Sequence, residues 1–224
     1  MKILPVIFIL TLMPAIGNAQ SSYQYGVMPS VNLQKNFPKQ WKSVFKVESR
    51  QSFYKQSLKY DYLLTDISLV VTKRIATNIT VGGGYLLRAE NDDFYSRAIQ
   101  QISLSKNYSV LRMAHRLMTD QTFEGEGNTE FRLRYRLSTE IPLQGQSLDI
   151  KEFYLKFNNE YLNSWQRNDY DMEIRLVALL GYSLSPVNDL EIGIDYRLDS
   201  FISDNSRNRI WLSINYFHLV GDEY

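Results

Sequence analysis

After its first twenty residues the chain alternates apolar and polar side chains almost to its end. It does so in segments of about 10 to 14 residues, with the period of a strand and not of a helix. Residues 130–141 are the clearest case: Phe131, Leu133, Tyr135, Leu137 and Ile141 fall on one face, and Glu130, Arg132, Arg134, Arg136 and Glu140 on the other. Successive side chains of a strand point to opposite faces, so one face is oil and the other charge. Nine further segments read the same way: 40–53, 60–73, 78–89, 93–105, 108–121, 151–162, 170–184, 190–199 and 208–219. The pattern predicts an all-β chain of ten strands.

The connections fall into two alternating series. Residues 74–77, 106–107, 142–150 and 185–189 form one; residues 54–59, 90–92, 122–128, 163–169 and 200–207 form the other, generally longer and more acidic. Aromatic residues collect at both ends of the strands. Phe53, Tyr60, Phe94, Tyr95, Phe123, Trp165, Tyr170 and Phe201 lie beside the second series, and Trp41, Tyr108, Phe153, Tyr182 and Phe217 beside the first. A soluble sandwich or lipocalin-like barrel shares the period with its apolar face turned inward. Strand lengths near the roughly 9–11 residues of a tilted spanning strand, ten strands in series, two aromatic girdles and rows of charge on one face favour an antiparallel up-and-down transmembrane β-barrel. The second series is then expected outside the cell, and both ends of the ten-strand unit in the periplasm. Residues 23–33 alternate too (Tyr25, Val27, Val31, Leu33), but an eleventh strand would give an odd count and an external N-terminus. Segment 20–39 is left with three placements: inside the lumen, over a rim, or half of a hairpin in a barrel of twelve strands.

The N-terminus adds a destination. Lys2 precedes an apolar run at 3–16, followed by Gly17-Asn18-Ala19. This is the layout of a secretory signal peptide, residues 1–19, cleaved after Ala19 to leave Gln20 first. The barrel is then 40–224, exported to the outer membrane of a Gram-negative bacterium, with outer-membrane lipid as its surroundings. No later segment approaches the roughly 18 apolar residues of a membrane helix. The chain has no cysteine, which excludes a disulfide scaffold and thiolate-bound zinc. Its 25 Lys and Arg face 24 Asp and Glu, and loss of Lys2 with the leader equalises them. That balance gives no reason to propose a nucleic-acid partner.

Catalytic signatures are weak. His115 falls in phase with Leu111, Met113 and Leu117, hence on the lipid-facing wall, with Thr119 and Ser109 on the same face. A lipid hydrolase would need a nucleophilic hydroxyl within hydrogen-bond reach of His115 and a third group to orient it. No Gly-x-Ser-x-Gly elbow occurs, and a polar residue near an interface explains His115 as well. His218 reads as interfacial at the end of the last strand. The acidic runs Glu90-Asn91-Asp92-Asp93 and Glu124-Gly125-Glu126 lack the spacing of a defined calcium loop, so no metal or cofactor is assigned. Gly82-Gly83-Gly84 lies mid-strand with no helix behind it, which suits a bend or relief of crowding and not a phosphate cradle.

The inward-facing charges say more. With the 122–128 loop near its midpoint, Arg112, Arg116, Arg132, Arg134 and Arg136 share one sector of the lumen, and Arg97 lies one strand away. Glu160, Asp171, Glu173, Glu191 and Asp195 lie on later strands. Charges removed from bulk water need partners, so a basic sector facing an acidic one predicts an ion-paired plug. A binding site or narrow channel for small anions is the alternative, since arginine forks suit carboxylate and phosphate.

Several stretches carry a resemblance. His115-Arg116-Leu117-Met118-Thr119-Asp120-Gln121 with Phe123, Phe131-Arg132-Leu133-Arg134-Tyr135-Arg136, Glu140-Ile141-Pro142-Leu143, residues 154–162 with Asn159-Glu160, and Arg207-Asn208-Arg209 are similar to a family of bacterial outer-membrane barrels, domain-of-unknown-function family 2490. The resemblance covers most of the mature chain and implies an outer-membrane barrel. It carries no activity, so no catalytic residue is transferred.

Overall fold

A computed structural model describes residues 22–55, 57–91, 93–124, 128–202 and 206–221. The expected leader and its cleavage point lie outside these, as do Asp92 and residues 125–127 of the acidic loops. The described residues are all-β apart from one 3-10 turn at Pro38–Gln40, and their eleven strands close into one barrel. They are β1 (Ser22–Phe37), β2 (Trp41–Lys55), β3 (Leu58–Ala76), β4 (Ile79–Glu90), β5 (Asp93–Asn107), β6 (Arg112–Glu124), β7 (Asn128–Pro142), β8 (Phe153–Gln166), β9 (Asp169–Ser185), β10 (Asn188–Asp199) and β11 (Arg207–Leu219). Every expected strand is present, most with ends displaced by a few residues; β6 starts four residues later than expected, because 108–111 belongs to the preceding connection.

The eleventh strand corrects the expected count of ten. Residues 23–33 form most of β1, which stands in the wall, so residues 22–37 neither plug the lumen nor cover a rim. β1 pairs antiparallel with β2 and parallel with β11, from Ser22↔Arg207 to Gln34↔Leu219. Geometry requires this. Hairpin-linked strands alternate in direction, so with an odd number the first and last run the same way, and closure must use a parallel pair. The barrel is therefore up-and-down everywhere except at this seam. The ten hairpin-linked strands from β2 to β11 begin and end at one rim, as expected, with Trp41 beside Phe37 and Leu219 beside Gln34, and β1 starts at the other rim, with Ser22 beside Arg207. Side chains reinforce the seam, with Ser30 Oγ donating to Asn215 Oδ1 at 2.7 Å and Asn32 Nδ2 to the Tyr216 carbonyl at 3.2 Å.

The connection lengths also differ from expectation. Strands run so far into the supposedly long loops that β8 and β9 are joined by residues 167–168 alone, whereas the longest connection, 143–152, lies at the other rim. Two aromatics leave the girdles as well: Tyr95 and Phe217 fall on the inward parity of β5 and β11. Phe217 lies under Lys156 Nζ, 5.5 Å from the ring centre.

Two large aromatics occupy the lumen by lying flat over glycine. Trp211 is fully buried and sits opposite Gly26 across the seam, where a Cβ would stand 2.5 Å from its ring and 2.2 Å from the Gln51 carbonyl. Tyr154 does the same over Gly181, whose Cβ would approach within 2.1 Å. Gly82 and Gly84 face inward, and side chains there would strike the backbone of β3, which fits relief of crowding.

Candidate functional site

The interior of this barrel is charged and its exterior oily. Among the described residues, sixteen buried residues are polar or charged and eight are apolar. β10 displays the inversion in one run: Leu190, Ile192 and Ile194 are exposed, while Glu191, Asp195, Arg197 and Asp199 between and beyond them are buried. All the arginines and acids expected in the lumen point there: Arg97, Arg112, Arg116, Arg132, Arg134, Arg136, Glu160, Glu173 and Asp195 lie on the inward parity of their strands. The register Asp120↔Arg132, Arg116↔Arg136 and Arg112↔Glu140 gathers β6 and β7 into one sector, with Arg97 on the adjacent β5.

Their pairing is not the expected one of a basic wall facing an acidic wall. It is built around two buried carboxylates, each shared by three arginines. Asp120, 1% exposed, takes Arg132 Nε at 2.6 Å and Arg97 Nε at 3.4 Å. Arg134 Nε stands 2.9 Å from its other oxygen without the alignment of a hydrogen bond. Glu160, also 1% exposed, takes Arg136 at 2.7 Å, Arg175 at 3.1 Å and Arg116 at 3.6 Å. Arg175 links onward to Glu173 at 2.6 Å. Neighbouring strands bring these groups together because inward side chains stand side by side about 5 Å apart across a ladder, closer than across the lumen.

The remaining wall is more evenly paired. Glu48 takes Lys46 and Arg50, and Asp66 receives Arg88 through two bonds of 2.7 and 2.8 Å. Arg197 grips Asp195 at 2.8 and 3.1 Å and reaches over β11 to the Met28 sulfur of β1 at 3.1 Å. Glu191 holds Lys156 at 2.7 Å and the Tyr154 hydroxyl at 3.0 Å; Asp199 pairs with Arg209. Arg112 makes no ion pair within the described residues. Sequence reasoning missed Asp120 as a centre, together with Glu48, Arg50, Asp66 and Arg88. Their inward parity was legible, but one carboxylate serving three strands requires register.

His115 faces outward, as expected. Its Nδ1 lies 2.8 Å from the Tyr135 hydroxyl, while Thr119 donates to Gln100 instead, at 2.9 Å. The hydroxyl beside His115 is thus a phenol. His218 Nδ1 meets Asn188 Oδ1 at 2.8 Å at the strand end. The described residues contain no group of three or more His, Asp or Glu able to hold a metal ion.

A family model described as a protein of unknown function, DUF2490, matches residues 26–216, from within β1 to within β11. The chain belongs to the DUF2490 family. The match spans nearly the whole barrel, seam strand included, so in this chain the DUF2490 domain and the closed eleven-strand barrel are one unit. No curated protein and no solved structure matches the chain.

Proposed function

We propose that this DUF2490 chain is an outer-membrane β-barrel of a Gram-negative cell, exported by a signal peptide cleaved after Ala19. In this reading its lumen is closed by ion pairs, and it serves through its surface as a structural or contact protein, not as an enzyme or an open pore. The observation that carries this reading is the inverted wall, apolar outward and ion-paired inward. In water the exposed rows of Leu, Ile, Val and Phe would be an association hazard, whereas in lipid they are the favoured surface. A closed sheet leaves no strand edge for lipid to satisfy. Cleavage after Ala19 would leave two residues ahead of β1, so the seam strand needs no leader to complete the wall.

Eleven strands enclose a lumen only modestly wider than the eight-stranded kind, which side chains fill, and far narrower than that of 16–18-stranded porins. Long paired side chains and the flat rings of Trp211 and Tyr154 occupy it here. The purified protein in planar bilayers is therefore expected to show no steady, porin-sized current; a sustained ohmic conductance would refute the closed lumen. Intact mass of protein extracted from outer membranes should correspond to Gln20 as first residue. Retention of residues 1–19, or a monodisperse native form without detergent, would remove the export and membrane assignments.

A further inference from the structure

Near the ends of β4 and β6 and the starts of β5 and β7 lies a cavity of about 310 Å³ at one mouth of the lumen. Its lining includes Arg88, Arg97, Arg132 and Thr122, with Glu90 and Glu130. The deeper cations are well buried: the side chains of Arg97 and Arg132 are 6% and 9% exposed. Both depend on Asp120, which Arg134 also uses, so one carboxylate serves three guanidinium groups. Arg97 obtains a further acceptor in Thr122 Oγ1 at 2.8 Å. Arg132 does not: its Nη2 is buried without a hydrogen-bond partner. A buried charged donor without an acceptor is costly. Glu130 does not meet that need, since it stands 3.6 Å from the other terminal nitrogen, Nη1, beyond good hydrogen-bond length, and Glu90 approaches Arg88 instead, at 3.7 Å.

We propose that this cavity binds a small solute through one oxyanion head, carboxylate or phosphate, held by Arg97 and Arg132, with the solute's neutral or cationic remainder toward Glu90 and Glu130. Guanidinium forks match the planar or tetrahedral oxygens of such a head. The excess positive charge at Asp120 supplies the attraction, and the two carboxylates disfavour a solute bearing further negative charge. The volume lies at the lower end of small-molecule pockets, roughly 300–1,000 Å³, which suits a metabolite-sized solute and not a polymer. The inference rests on the closed-lumen reading, which makes the cavity a dead end and not the entrance of a channel.

Calorimetric titration of the detergent-purified full-length barrel with acetate, inorganic phosphate and glycine tests it. Saturable binding is expected, weakened about tenfold by Arg132→Gln, the scale of a lost charge-assisted hydrogen bond. The rim variant Glu90→Gln/Glu130→Gln should tighten acetate and phosphate while reducing the preference for glycine over acetate. Should Arg132→Gln fail to form a heat-modifiable barrel, the rim variant alone decides. No saturable heat with any of the three probes, or affinities indifferent to the rim charges, would overturn the site. Bilayer recordings on the same preparation separate the two ideas: silence without binding removes the site alone, and a steady current with binding intact removes the closed lumen alone.

Discussion

Glu160→Ala should lower the stability of the folded barrel by about 3–5 kcal/mol, the usual cost of removing one partner from a buried ion pair. Glu160 is the shared partner of Arg136, Arg175 and Arg116, drawn from three strands. Without it their like charges repel in a poorly solvated interior, and only Arg175 keeps a second acid, Glu173. Asp120→Ala should act similarly through Arg97, Arg132 and Arg134. Removing an arginine should cost less. Arg116→Ala leaves Glu160 with two partners, and Arg134→Ala leaves Asp120 with two. The temperature at which the compact band of unboiled protein converts to the unfolded one on a gel ranks these variants. Equal shifts for Glu160→Ala and Arg116→Ala would mean the shared carboxylates do not organise the network.

Deleting residues 22–37 while keeping the leader should abolish the compact, heat-modifiable form altogether. Without β1, β2 and β11 become bare edges, which lipid cannot satisfy. Closing them on each other would make a ten-stranded antiparallel barrel, but the lumen contents oppose it. Trp211 is fully buried over Gly26, and Arg197 spans β11 to reach Met28. Both were accommodated by a strand no longer present, and a narrower ring has less room for the indole. Gly26→Val should reproduce much of the defect at one position, since its Cβ would fall 2.2 Å from the Gln51 carbonyl, a backbone atom that cannot swing away. A deletion variant that still runs as a compact band would show that β1 is dispensable to the wall.

Period-two alternation was enough to reveal the all-β class, ten of the eleven strands and the inward parity of every expected lumen arginine. These are local properties: each depends on which side of its own strand a residue occupies. The resemblance carried by 115–123, 131–136 and 154–162 likewise named the family that the match over residues 26–216 shows. What sequence could not decide is what depends on partners far along the chain. Residues 23–33 alternate like any strand, but only closure shows that they pair with 207–219, at the other end of the chain, and in parallel. Asp120 reads as one more inward acid until register sets it beside Arg132 of β7 and Arg97 of β5, within reach of Arg134. Tyr95 and Phe217 sit near strand ends like girdle aromatics, but the alternation of their own strands already turns them inward. Alternation fixes the face of a residue because it is a property of one strand. Pairing, shared charges and the cavity at the mouth belong to several strands at once, so tertiary structure alone determined them.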